Sequence, residues 1–178
     1  MNPNVYLSYH DANEKQCATI AAFLKENNYA VRYVPTDYVV GDRQPAHILQ
    51  DLVKLFYDPS DVLVCILGSQ TADLTHVDVE LHHALSGKPG VRKGIVLLLM
   101  ERPDVSLDKI RAKNPKALQA IPDRLHKNLG YVELATFSRY RDLPVILNTA
   151  WKKAKDTSVP VEVGSSPAAI KKGRYHDQ

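Results

Sequence analysis

Apolar residues along this chain follow two rhythms. Short apolar runs at 5–9, 30–34, 62–67, 94–100 and 131–134 are rich in Val, Ile and Leu, and Pro35 and Gly68 end the second and third of them. None approaches the roughly 20 residues that a membrane-spanning helix needs. The runs at 62–67 and 94–100 are apolar throughout, the mark of strands covered on both faces, as in a parallel sheet. Between the runs, apolar positions recur three and four apart, which predicts helices. They are Ala18, Ile20, Ala21, Phe23 and Leu24 after the first run, and Ile48, Leu49, Leu52, Val53, Leu55 and Phe56 after the second. The third run is followed by Leu74, Val77, Leu81, Ala84 and Leu85, and the fifth by Leu143, Val145, Ile146, Ala150, Trp151 and Ala154.

The punctuation agrees with that alternation. His10-Asp11-Ala12-Asn13 supplies helix-capping side chains, and Asn27-Asn28 closes the first helix. Pro35 stops the second strand. Residues 36–45 read as a loop bent at Gly41, with Pro45 in the first turn of the next helix. Asp58-Pro59-Ser60 and Ser86-Gly87-Lys88-Pro89-Gly90 are breakers. The segment 101–128 holds Pro103, Pro115 and Pro122 and keeps no long helical period, so it reads as an irregular connection with one short helix near 116–120. The last helix begins at Ser138 or Asp142. From residue 156 the composition turns to Ser, Pro, Gly and Lys, which predicts a tail that is flexible or borrowed by a neighbouring chain.

Strand–helix alternation with right-handed crossovers predicts an α/β domain over 1–155. Its form is a flavodoxin-like three-layer sandwich with a five-stranded parallel sheet, order 2-1-3-4-5, and 156–178 is the flexible C-terminal tail. A chain of 178 residues suits one domain. The formal net charge of +3 is small and its basic residues are scattered, so the sequence supports neither a nucleic-acid partner nor a membrane one. Cys17 and Cys65 fall in predicted helical or buried segments and read as reduced core thiols. No leader-like segment opens the sequence, and the cytoplasm is the expected compartment.

The candidate chemistry gathers on 61–85. Gly68-Ser69-Gln70-Thr71 ends the third strand with small hydroxyls, and Glu80 follows one turn after His76 on the next helix. A carboxylate there lies near the carboxyl edge of a parallel sheet, where open α/β proteins hold ligands. By residue type alone Glu80 reads equally as a solvated helix residue, Asp11 as a cap, and Ser69 as a cap of the central helix. Tyr6 and Ser8 would line such a site from the first strand. His76, Glu80 and His83 form a stripe that could hold a metal, but no fourth ligand is evident, so no metal site is assigned. A phosphoacceptor site would need an Asp at the end of strand three and a Lys after strand five, and both are missing. Charged SYHDANEK is unlike a flavin phosphate loop. Neither GxGxxG nor GxxxxGK[ST] occurs.

SYHD at Ser8 to Asp11, and GSQT followed by a helix with a ring residue four positions before a Glu, resemble two conserved pieces of TIR domains. The likeness is to the TIR-like group of the bacterial antiphage system Thoeris, and it covers about residues 4–99. The resemblance implies that Glu80 is the catalytic residue of an NAD-consuming site. His76 stands where the family usually has Trp and would serve as a wall or hydrogen-bond partner. Residues 36–45 match the family's BB loop, which borders the nucleotide site and makes oligomer contacts, so Asp42 and Arg43 join Tyr6, Ser8, Asp11, Ser69 and His76 as expected substrate-binding residues. NAD is then substrate and no cofactor is implied. A cyclic or rearranged ADP-ribose product would activate a separate effector protein, with self-association on activation. The alternative from the same resemblance is a non-catalytic TIR-like protein–protein interaction module.

Overall fold

The computed structural model describes residues 1–40, 45–69, 74–87, 91–100, 102–169 and 173–175. Among them the strands are β1 Val5–Ser8, β2 Val31–Arg32, β3 Val39–Val40, β4 Val62–Leu67, β5 Gly94–Leu99, β6 Glu133–Thr136 and β7 Gly173–Arg174. The helices are α1 Glu14–Glu26, α2 Pro45–Leu52, α3 Thr75–Leu85, α4 Leu107–Arg111, α5 Pro115–Gln119, α6 Asp123–Lys127 and α7 Leu143–Lys155. Five strands form one sheet in the order β2-β1-β4-β5-β6, all parallel. This is the predicted 2-1-3-4-5 order. The separate ribbon β3-β7 is antiparallel and ties the end of the chain to the segment after β2.

The apolar runs are continuous because each strand feeds two cores by alternation. Val5, Leu7, Val62, Val64, Ile66, Val96 and Leu98 pack against Cys17, Ile20, Ala21 and Leu24 of α1 and Leu143, Leu147 and Ala150 of α7. Tyr6, Leu63, Cys65, Leu67, Ile95, Leu97 and Leu99 face the other way, onto Val77, Leu81, Ala84 and Leu85 of α3 and onto Ile110, Ala117 and Leu125 of α4 to α6. The result is the expected three-layer sandwich. Gly94 lets α7 close on β5: a Cβ there would sit 2.6 Å from the Ala150 carbonyl oxygen. Gly68, at the tip of β4, gives way to the buried Asn13, whose Oδ1 would be 2.1 Å from such a Cβ.

Three expectations are revised. β2 spans two residues, not five, because Pro35 follows and only Val31 and Arg32 pair with β1. Residues 102–128 build three short helices: α5 is the one expected near 116–120, and α4 and α6 are added to it. Ser106 and Asn114 cap α4 and α5, with Pro115 opening α5, and Ile110, Ala117, Leu118 and Leu125 are buried. α7 begins at Leu143 after a 3-10 stretch, Phe137–Asp142, and Val145, expected in its buried stripe, is 72% exposed. Between residues 156 and 165 the chain makes contacts with the domain. Val159, Val161 and Val163 lean on the α3-side core. Arg92 donates to the Asp156 and Val159 carbonyls at 2.9 and 3.1 Å. Asn128 brackets Glu162, its Nδ2 giving to the carbonyl and its Oδ1 taking from the amide, both at 2.8 Å. Arg124, paired to Asp78, donates to the carbonyls of Val163 and Ser165. An alternating Val-x-Val-x-Val stretch is strand-like enough to pack, and buried side chains of the body satisfy its backbone.

Candidate functional site

The middle helix α3 follows β4 and carries Val77, Leu81, Ala84 and Leu85 onto the sheet, and Glu80 lies within that buried stripe. A carboxylate that is only 3% exposed needs partners. It has two phenols. Tyr6 of β1 donates to Glu80 Oε1 at 2.5 Å, and Tyr175, the residue after β7, donates to the same oxygen at 2.6 Å. Tyr57 meets the Tyr175 hydroxyl at 2.5 Å. Each phenol has one proton, so once Tyr175 gives its own to Glu80, Tyr57 must donate to Tyr175. The relay runs Tyr57 to Tyr175 to Glu80, with Tyr6 joining at the end. Burial, reinforced by the Glu80 charge, pushes all three phenols well above the usual tyrosine range, which keeps them donors.

The other carboxylate oxygen, Oε2, is buried with no hydrogen-bond partner. Glu80 also lines a cavity of about 10 Å³, with Tyr6, Tyr57, Leu63, His83 and Lys93 among others, which has room for one water at most. An open cleft of about 620 Å³ lies at the start of α3, bordered by Leu74, Asp78, Leu118, Pro122 and His126, and Glu80 does not line it. The carboxylate is thus sited, among the described residues, in an aromatic box.

His76, fully buried, points its Nε2 at the Tyr9 carbonyl oxygen at 3.1 Å, which makes that nitrogen the protonated one. Its ring packs on Tyr175, centroids 4.9 Å apart and planes at 46°. His76 therefore lies against the Tyr175 side of the box. His83 turns away from the metal arrangement: its Nε2 bonds Asp58 at 3.2 Å and its ring tilts over Tyr57. Among the described residues no group of three His, Cys, Asp or Glu is placed to hold a metal.

Of the other expected site residues, Ser8 is buried at the end of β1 on the same face as Tyr6, in register with Cys65. Asp11 opens the 3-10 turn Asp11–Asn13, whose cap is His10, accepting from the Ala12 amide; the expected capping role passes to the neighbouring residue. Ser69 is exposed and does not cap α3, which starts six residues later at Thr75 with Leu74 in the cap position. Asp42 and Arg43 lie outside the described residues, as do Gln70 and Thr71. Sequence reasoning missed Tyr57 and Tyr175. A tyrosine has no spacing signature of its own. Tyr175 also sits in the polar RYHDQ ending, and only the valine alternation upstream hinted that this segment packs.

No family model matches the chain, and no curated protein does. Among solved structures it is similar to the TIR domains in the structure of the activated Roq1 resistosome directly recognizing the pathogen effector XopQ. That likeness has 17% identity and a TM-score of 0.45, and it covers 88% of this chain and 86% of that one.

Proposed function

We propose that this chain is a TIR-like enzyme that cleaves NAD at the bond between nicotinamide and ribose, with Glu80 as the catalytic carboxylate. One observation carries the reading: Glu80 is buried in an aromatic box on the middle helix, one oxygen held by phenols and the other unpartnered. A solvated helix residue would need none of this. Breaking the glycosidic bond sends its electron pair to the pyridinium nitrogen, so nicotinamide leaves neutral and positive charge grows on the sugar. A carboxylate against that sugar stabilises the charge, by the logic of glycoside hydrolysis, and no acid is required because the leaving group is already cationic. Water, or a nucleophile of the same molecule, then adds to the ribose and gives ADP-ribose or a cyclic isomer. Flat aromatic walls from His76 and Tyr57 suit a planar heterocycle.

The SYHD and GSQT-to-Glu80 resemblance extends this to antiphage defence in the cytoplasm, with a cyclic or rearranged ADP-ribose as the signal to an effector and self-association as part of activation. The test is to incubate NAD with the protein, alone and mixed with lysate of infected cells, and to identify products by mass. Nicotinamide and an ADP-ribose isomer are expected, with Glu80→Gln losing about 100-fold or more. Release undiminished in Glu80→Gln overturns the assignment.

A further inference from the structure

We infer that the end of this chain is an intramolecular plug: Tyr175 occupies the space before Glu80 that a substrate's hydroxyl and flat ring must take, and the site opens only when β7 leaves β3. This rests on the reading of Glu80 as the catalytic group and adds its regulation.

The plug is specific in four respects. Tyr175 has no exposed surface, although it lies three residues from the last position given. Its hydroxyl takes one of the two donor places on Glu80 Oε1, the place a ribose hydroxyl would claim. Its ring fills the slot between His76 and Tyr38, 4.9 Å from one and 6.4 Å from the other. Its amide donates to the Tyr38 carbonyl at 3.0 Å, which continues the β3-β7 pairing. The device also has a fixed base and a light end. Arg92, Asn128 and Arg124 anchor the tail up to Ser165. The ribbon beyond pairs two residues on each side, Val39 with Arg174 and Val40 with Gly173. So short a ribbon is marginal by itself, and the seating of Tyr175 is what holds it. Any event that draws β3 away, such as a partner pairing with that strand, removes the plug and leaves Tyr6 in place to orient the carboxylate.

The test uses the full-length chain. Tyr175→Ala empties the slot. Val39→Cys with Arg174→Cys places a thiol pair across the antiparallel register, so oxidation locks the plug and reduction frees it; Cys17 and Cys65 are buried. NAD binding is measured by calorimetry with Glu80→Gln added to each chain, and nicotinamide release without it. The proposal expects at least tenfold tighter NAD binding for Tyr175→Ala than for the unaltered chain, no binding in the oxidised pair, and recovery on reduction. Equal binding in the unaltered, locked and Tyr175→Ala chains overturns the plug whatever the activity. NAD bound by Tyr175→Ala without nicotinamide release keeps the plug and overturns the enzyme reading. No binding in any chain overturns both.

Discussion

At the scale of single residues, the decisive feature is a carboxylate whose two oxygens have different fates. Oε1 is shared by two phenols and Oε2 is buried with none. Removing one donor from a charged acceptor in such a place costs about 1–3 kcal/mol. Tyr6→Phe is therefore expected to lower the unfolding free energy by that amount in urea titration while leaving the ring's contact with Tyr57 intact. A change near zero would mean that the phenol is not holding the carboxylate. The two thiols give a pH prediction. Burial pushes Cys17 and Cys65 up to about 12 from an ordinary 9. The unfolded chain therefore loses these protons first as pH rises. Stability from this source is complete below pH 9 and lost between pH 9 and about 12. Replacing both by Ala, which has no titrating group, should flatten the alkaline limb of a plot of melting temperature against pH.

Among the elements, β4 and β5 set the frame and the helices are fitted to it. Six consecutive pairs join these strands, and both faces of each are buried. The fit is close where α7 passes Gly94, so Gly94→Ala must push the helix from the sheet. Overpacking of that kind costs about 1–3 kcal/mol, and a thermal melt should show a matching drop. An unchanged melt would contradict the close approach. The legible and the hidden parts of the fold divide along the same line. Long apolar runs and helical stripes made β4, β5, α1, α3 and the sheet order readable. The five-residue helices α4 to α6 are shorter than the window in which a period can be recognised, and only α5 answers to the short helix expected near 116–120. They rest on caps from Ser106 and Asn114 and on isolated buried residues such as Ile110. Val145 shows the limit of stripe reading: it keeps the spacing but sits on α7's outer side at 72% exposure.

For the whole molecule, the sequence pointed to Glu80 and Tyr6, which the fold brings within a hydrogen bond across 74 positions of chain. His76 packs on Tyr175, which donates to Glu80. What could not be read was the closure, because it depends on residues far apart in sequence: Tyr38 and Tyr57 on one side, Tyr175 on the other, and a strap of backbone carbonyls held by Arg92, Arg124 and Asn128. Among the described residues no helix is long and apolar enough to cross a membrane, and the buried surface of the tail goes instead to the domain itself. A chain so arranged should be nearly silent until its end is displaced. The most direct measurement is nicotinamide released from NAD by the full-length Tyr175→Ala chain, compared with the same chain carrying Glu80→Gln. The account predicts steady release from the first and a loss of about 100-fold in the second. Equal release from both, or none from the opened chain, would contradict it.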